Sequence, residues 1–254
     1  MPKRLTGTYK VELFRTICVT IFGIISLPIA SIAIVLAAPV FGNKRSFWTI
    51  TPMWVRITFW LSGIKLDVTG WSNLPESIRN GHEPAIFMSN HTSNLDPIVL
   101  MSAIPIPAAY IAKKELRWVI PIGWAAMVAG TIFIDRNSRA GSIKSIRKIV
   151  SKIRNGKSVV IFPEGTRTRT GQLLPFKKGG FVIAKEAGMR IVPIAAMGGH
   201  EVLPVGAIRI RPGQYTVAFS APISPNAFNS TANLMAEVRS QILAMQERNG
   251  TMGK

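Results

Sequence analysis

The sequence predicts an α/β fold, a mixed sheet flanked by helices, with an N-terminal membrane-binding helical hairpin. Two observations predict it: residues 16–43 contain no charged side chain, and from Ile64 onward short apolar strands alternate with helical stretches. We therefore divide the chain into an N-terminal membrane-associated helical segment, residues 1–63, and an α/β domain, residues 64–254.

The composition combines surplus positive charge with surplus apolar content. The chain carries 31 Lys and Arg against 12 Asp and Glu, a net charge of +19, and 48% of its residues are hydrophobic. This combination is typical of a protein at a membrane surface with an anionic partner. Nucleic acid would require aromatic platforms among the basic residues. The aromatics concentrate near the apolar segment instead, so we expect no nucleic acid.

The uncharged run, residues 16–43, is long enough to enter a membrane. It exceeds the ~20 residues that cross a bilayer and the core of a signal peptide, about 7 to 15 residues. Pro28 predicts a kink or a break in the helix, so two arrangements fit: one tilted, kinked span, or a hairpin of two short helices. Basic residues flank both ends of the run. Because such flanks favour the cytoplasmic side, we predict the hairpin, on the cytoplasmic face of the membrane (the inner or plasma membrane in a bacterium).

The next stretch, residues 46–64, is rich in aromatic residues, with Arg56 among them. Tryptophans at headgroup depth are typical of an interfacial helix. An ordinary helix that packs one face on the core explains the same pattern. Both interpretations remain open at this point.

The α/β domain is predicted element by element from its apolar runs. The predicted strands are 64–68, 85–88, 108–112, 131–134, 158–162 and 191–195, followed by a hairpin of 207–210 with 215–219. The predicted helices are 97–103, 120–127, 138–155, 179–187 and 232–246. The single cysteine, Cys18, excludes an internal disulfide and a cysteine metal cluster.

Residues 89–97 place a histidine and an aspartate between a strand and a helix. His91 and Asp96 are five residues apart, a spacing that does not bring two side chains together on a helix. Pro97 favours a helix that starts there, with Asp96 as its N-cap. In such a loop Asp96 can fold back onto the His91 ring, and a carboxylate on one imidazole nitrogen leaves the other as a base. A plain helix cap beside a solvated histidine is the alternative.

Residues 160–167 form a second notable stretch, where an apolar strand ends in Pro-Glu-Gly-Thr-Arg. Functional residues of α/β folds gather at strand ends. Gly165 allows close backbone approach, Thr166 offers a hydroxyl, and Arg167 offers a bidentate grip on phosphate. A basic surface loop is the alternative.

Two further stretches contain charged residues where a predicted strand ends. Residues 130–136 are a strand that terminates in Asp135 and Arg136, and residues 112–116 contain Lys113. A capped turn and a solvated helix end are the respective alternatives.

Four ordered elements resemble those of the glycerolipid acyltransferase family, which makes phosphatidic acid from lysophosphatidic acid. The His-x-x-x-x-Asp element stands at 90–96, and Gly-x-Ile-Phe-Ile-Asp-Arg stands at 130–136. Phe-Pro-Glu-Gly-Thr-Arg stands at 162–167, and Val-Pro-Ile at 192–194. The resemblance covers residues 65 to 220, without departure at the charged positions.

The resemblance implies a 1-acylglycerol-3-phosphate O-acyltransferase that takes an acyl thioester, from coenzyme A or acyl carrier protein, as co-substrate and uses no metal or cofactor. In the family the His takes the proton of the acceptor's sn-2 hydroxyl and the Asp holds the His, which here implies His91 and Asp96. The residues that the resemblance associates with the acceptor phosphate are Arg136, Glu164 and Arg167, and to these we add Lys113, Gly165 and Thr166 as substrate-binding residues. The family also commonly carries an N-terminal two-helix membrane-binding element.

The expected chemistry agrees with these residues, since attack of an alcohol on a thioester needs a base and a stabilised oxyanion. No His, Cys and Asp cluster has metal-ligand spacing, and His82 and His200 are isolated. One alternative makes Ser93 an acylated nucleophile, although no Gly-x-Ser-x-Gly elbow surrounds it. Another is an acyltransferase for a different lysolipid acceptor. A third is a non-enzymatic basic protein that binds membranes or anionic lipid, which leaves the charged strand ends unexplained.

Overall fold

Seven strands form one sheet at the centre of the α/β domain. The computed structural model describes residues 7–134, 149–151, 156–207 and 209–251, and there the sheet order is β1-β7-β6-β2-β5-β3-β4. The strands are β1 Ile64–Thr69, β2 Ile86–Ser89, β3 Ala108–Lys113, β4 Ile132–Ile134, β5 Ser158–Ile161, β6 Ile191–Met197 and β7 Gly213–Phe219. The helices are α1 Gly7–Phe41, α2 Asn43–Ser62, α3 Glu76–Arg79, α4 Asp96–Ala103, α5 Ile122–Val128, α6 Gly179–Ala187, α7 Gly199–Val202 and α8 Thr231–Thr251.

The sheet is mixed, which confirms the predicted fold class. Strands β6, β2, β5, β3 and β4 run parallel, so their carboxyl ends meet at one edge. Strand β7 is antiparallel to β6, and β1 is parallel to β7. The first half of β7 therefore reaches the same edge, where its Thr216 pairs with Met197 at the end of β6. The loops after β2 and β5 bring His91 and Glu164 to this edge.

Apolar side chains cover both faces of the sheet. Because successive side chains of a strand point to opposite faces, Phe87 belongs to one core cluster with Val192 and Tyr215. Its neighbours Ile86 and Met88 belong to the other cluster, with residues of α6 and α8. The sequence of a strand that is buried on both faces is a continuous apolar run. Such runs are what predicted the central strands from the sequence.

The N-terminal apolar run is one continuous helix, so the prediction that Pro28 divides it into two short helices is wrong. Helix α1 has 35 residues and contains both Pro28 and Pro39. Proline removes one backbone hydrogen bond, but its φ is compatible with a helix, and long apolar helices tolerate it. Residues Leu13–Phe41, 29 in number, are long and apolar enough to cross a membrane, with a mean hydropathy of 2.5 over an 18-residue window.

A helical hairpin exists nevertheless, formed by α1 and α2. The chain reverses at Gly42, whose φ of 83° lies in the left-handed region that favours glycine. Trp54 Nε1 donates to Ser26 Oγ at 2.8 Å between the two helices. Helix α2 packs one face on the core, where Val55 is buried, and exposes Trp60 at 79% on another face. The core-packing interpretation of residues 46–64 is thus confirmed, and the interfacial one stays a prediction.

The predicted hairpin of 207–210 with 215–219 is wrong. Residues 207, 209 and 210 are not in a strand, and β7 pairs with β1 and β6 instead. The preceding backbone folds back on α7, where Arg211 N–H donates to the Val202 carbonyl at 2.8 Å. The predicted helix 138–155 lies mostly outside the described residues; its residues 149–151 are helical.

Candidate active site

The loop after β2 starts from an asparagine that extends the sheet. Asn90 Nδ2 donates to the Ala196 carbonyl at 2.8 Å, and Ala196 N–H donates to Asn90 Oδ1 at 2.7 Å. The buried amide therefore replaces a backbone pair of β6. It fixes the point where the chain leaves the sheet, one residue before His91.

His91 and Asp96 meet as the sequence predicted. His91 Nδ1 lies 2.6 Å from Asp96 Oδ2, and the Asp96 side chain is fully buried while the His91 side chain is 17% exposed. The His91 ring stacks on Phe162, with the ring centroids 4.1 Å apart. With Nδ1 held by the carboxylate, Nε2 is the nitrogen left to accept a proton.

Asp96 is not the helix cap that the sequence suggested. It is the first residue of α4, and Leu95 occupies the N-cap position. The carboxylate instead accepts the backbone N–H groups of Thr92 at 2.6 Å and Ser93 at 2.9 Å, which precede the helix. Donors from the loop satisfy a charge that is buried away from water, so Asp96 organises the loop as well as the His91 ring.

Glu164 ties two loops together. It is buried, its Oε1 accepts the His91 backbone N–H at 2.7 Å, and its Oε2 accepts the Leu174 N–H at 2.9 Å. Burial raises the pKa of Glu164 above its usual value, and the two backbone hydrogen bonds oppose that shift. Both carboxylate oxygens therefore have backbone partners, and the predicted contact of Glu164 with substrate stays a prediction.

The loop after β5 lies directly against the His91 loop. Thr168 N–H donates to the His91 carbonyl at 2.9 Å, and Arg167 Nη1 donates to Asn94 Oδ1. Gly165 has a φ of +69°, and a Cβ there would lie 2.9 Å from the Lys177 side chain. Glycine is thus required for both backbone conformation and space. Thr166 is exposed at this turn.

Lys113 ends β3 at the same edge of the sheet, paired in register with Ile134 at the end of β4. Its side chain is 61% exposed, and its Nζ lies 3.7 Å from Glu115 Oε2. Such a loose, solvated pair contributes little stability, so the ammonium is accessible to an anion. Arg136, the other predicted phosphate ligand, lies outside the described residues.

The structure adds residues that sequence reasoning missed. Tyr215, from β7, donates its hydroxyl to Asp96 Oδ1 across 119 positions of sequence. Gly199, at the start of α7, packs against the same carboxylate. The Gly198-Gly199 pair after β6 was a possible signal of close backbone approach. No local pattern pointed to Tyr215, because its role depends on the pairing of β7 with β6.

Two other side chains near the His91 loop, those of Ser93 and His200, have environments that the structure defines. Ser93 is fully buried, and its hydroxyl donates to the Leu203 carbonyl at 2.8 Å, which argues against an acylated serine. His200 borders a cavity of about 260 Å³ that also touches Thr92. No group of three or more His, Cys, Asp or Glu that could hold a metal ion occurs in the described ranges.

Comparisons with known proteins place this site in a family. A sequence profile described as "Acyltransferase" matches residues 65–197, which is more than half of the chain and includes both site loops. The chain is 36% identical over 169 residues to a 1-acyl-sn-glycerol-3-phosphate acyltransferase of Limnanthes douglasii, covering 66% of this chain and 58% of that protein. It is 34% identical over 194 residues to 1-acyl-sn-glycerol-3-phosphate acyltransferase alpha of Homo sapiens, covering 74% of this chain and 66% of that one.

The chain thus spans between about half and two thirds of the length of these curated relatives. A solved structure has the same fold: the crystal structure of the 1-acyl-sn-glycerophosphate (LPA) acyltransferase PlsC from Thermotoga maritima. It matches with a TM-score of 0.82 at 22% identity, covering 94% of this chain and 96% of that one. Because the profile takes in the His91 loop, the Glu164 loop and the strands that carry them, the chain belongs to the acyltransferase family.

Proposed function

We propose that the protein is an enzyme that acylates the sn-2 hydroxyl of 1-acylglycerol-3-phosphate, giving phosphatidic acid for phospholipid synthesis. The acyl donor is a thioester of coenzyme A or acyl carrier protein. The observation that carries the proposal is the His91–Asp96 pair, 2.6 Å apart, with cationic side chains at the same sheet edge. The names of the relatives from Limnanthes and human supply the substrate class.

His91 acts as the general base in this proposal. Its Nε2 takes the proton of the acceptor hydroxyl as the oxygen attacks the thioester carbonyl. Asp96 accepts the Nδ1–H hydrogen bond and stabilises the imidazolium that forms. The tetrahedral intermediate then collapses, the carbon–sulfur bond breaks, and the thiolate takes the proton back from Nε2. Protons balance, and the products are the ester and the free thiol.

The acceptor phosphate binds to the basic side chains at the sheet edge. Arg167 reaches the His91 loop through Asn94, and its guanidinium can grip phosphate oxygens in pairs. Lys113 adds a compact, accessible charge. Gly165 and Thr166 shape the turn that presents Arg167, and Arg136 completes the predicted set.

The enzyme works on a membrane, with its basic flanks on the cytoplasmic face. Side chains along α1 are exposed although apolar, among them Ile24 at 68% and Ile29 at 60%. A second exposed apolar segment, which we call the β3–β4 connection and define as residues 114–131, includes Trp118 at 70% exposure and Ile120 at 59%. Exposed patches of this kind mark interaction surfaces, and tryptophans favour the lipid headgroup region.

One assay tests the function: purified protein is incubated with a panel of lysolipids and acyl thioesters, and products are identified by mass. We expect phosphatidic acid only when lysophosphatidic acid and a thioester are both present. His91→Ala should reduce turnover at least about a hundredfold, the contribution of a general base. The matched control is His82→Ala, since His82 is exposed. Lipid binding without thioester consumption would contradict the proposal.

A further inference from the structure

Strand β7 places a buried tyrosine behind the His91–Asp96 pair. Tyr215 is fully buried, and its hydroxyl donates to Asp96 Oδ1. It reaches the site because β7 is antiparallel to β6, so that the first half of β7 lies beside the carboxyl end of β6. The same pairing fixes the position of Tyr215 relative to the end of β6, since the neighbouring Thr216 is in register with Met197.

The two oxygens of the Asp96 carboxylate have different partners. Oδ2 receives His91 Nδ1 and the backbone N–H groups of Thr92 and Ser93, all within 2.9 Å. Oδ1 receives the Tyr215 hydroxyl and a longer contact of 3.4 Å from Thr92 Oγ1. Tyr215 is therefore the principal donor to the oxygen that does not face the histidine.

A glycine makes room for this arrangement. A Cβ on Gly199 would lie 2.6 Å from the Tyr215 hydroxyl, 2.5 Å from Thr92 Oγ1 and 3.0 Å from Asp96 Oδ1. These distances are shorter than van der Waals contact, so the carboxylate, the hydroxyl and α7 are packed without spare space. The start of α7 thus closes the pocket in which Asp96 is held.

We propose that Tyr215 is a positioning residue for the acyl transfer, which holds the Asp96 carboxylate in the orientation that binds His91 Nδ1. The proposal rests on the proposed function. Rotation about the last torsion of an aspartate is only broadly restricted, so a donor on Oδ1 restricts it further. A donor to the second oxygen also shares the negative charge that would otherwise act on His91 alone.

The hydroxyl keeps its proton for this role. Burial, together with the charge of Asp96, raises the pKa of Tyr215 well above its usual value. Among the described residues, Glu164, from the loop after β5, and Glu201 on α7 also lie around the pair. Both are acidic, and both stay unchanged in Tyr215→Phe and Tyr110→Phe.

The test compares Tyr215→Phe with Tyr110→Phe. The control is matched because Tyr110 is also a buried tyrosine, but its hydroxyl has no hydrogen-bond partner among the described residues. We expect Tyr215→Phe to lower kcat about ten- to a hundredfold, the effect of losing a hydrogen bond to a charged group, with KM unchanged. The acidic limb of its pH–rate profile should move to higher pH. Without the Tyr215 hydroxyl, the Asp96 charge acts on His91 alone and stabilises the His91 imidazolium more strongly. Tyr110→Phe should match wild type.

A second readout does not depend on turnover. The chain has three histidines, so ¹⁵N-histidine NMR can follow His91 in the folded protein, with His91→Ala for assignment. The His91 signals should titrate at higher pH in Tyr215→Phe than in wild type or Tyr110→Phe. Gly199→Ala, which crowds the same hydroxyl, should lower kcat in the same direction. An unchanged kcat and unchanged His91 titration in Tyr215→Phe would overturn the proposal, whereas an inactive wild type with a shifted titration would overturn only the proposed function.

Discussion

At the scale of single residues, the site depends on acids that are buried and satisfied by backbone donors. Asp96 receives two loop N–H groups, and Glu164 receives two more from the His91 and Leu174 positions. Each carboxylate therefore holds the backbone of the site loops in place, in addition to any chemical role. Removing one would leave several buried donors without partners, which is costly.

A residue-scale prediction concerns Glu164 and pH. Its pKa is raised in the folded protein, so above the usual value of 4.5 the unfolded chain loses this proton before the folded one does. The contribution of Glu164 to stability therefore falls as pH rises through that window. Glu164→Gln removes the titration but also one hydrogen bond, since an amide nitrogen cannot accept an N–H.

We expect the stability deficit of Glu164→Gln to be largest at low pH and to shrink as pH rises. Denaturant unfolding in detergent from pH 4.5 to neutrality measures it. Glu76→Gln, an exposed carboxylate on α3, is the control. A deficit that grows with pH would contradict the raised pKa.

At the scale of elements, the β3–β4 connection joins the site to the N-terminal helices α1 and α2. It follows Lys113 directly and contains α5, whose Ala125 lies in a small core cluster with Ile34 of α1 and Phe47 of α2. Arg117 lies over the Trp118 ring, 4.4 Å from its centroid. A cation beside an exposed tryptophan is typical of the headgroup region.

We predict that this connection enters the bilayer interface. In a Cys18→Ala background, a polarity-sensitive fluorophore on Trp118→Cys should brighten on addition of anionic vesicles and be quenched by brominated lipids. The same label on Asn233→Cys, an exposed position on α8, should do neither. Equal quenching at both positions, or none at position 118, would contradict the prediction.

At the scale of the whole molecule, one sheet edge carries His91, Lys113 and Arg167 within a chain of net charge +19. Clefts lined by one sign of charge attract ligands of the opposite sign. The attraction between exposed charges is screened by salt, because the Debye length falls about threefold between roughly 0.05 M and 0.5 M ionic strength.

We therefore expect KM for lysophosphatidic acid to rise across that salt range while kcat at saturating acceptor stays constant. Lys113→Ala should raise KM at low salt and weaken its salt dependence. Lys65→Ala, an exposed lysine on β1, should leave both unchanged. Kinetics in mixed micelles measure these quantities, and a salt-independent KM would argue against electrostatic binding of the acceptor phosphate.

The sequence by itself determined what is local. The central strands were visible because strands buried on both faces are continuous apolar runs, and the His91–Asp96 pair because Pro97 forces a loop that closes over five residues. The tertiary structure decided what depends on distant partners: the continuity of α1 through Pro28, and the hydrogen bond of Glu164 to the His91 backbone. It also decided the pairing of β7 with β1 and β6. Tyr215 belongs to this second group, because only sheet register brings a residue 119 positions away against Asp96.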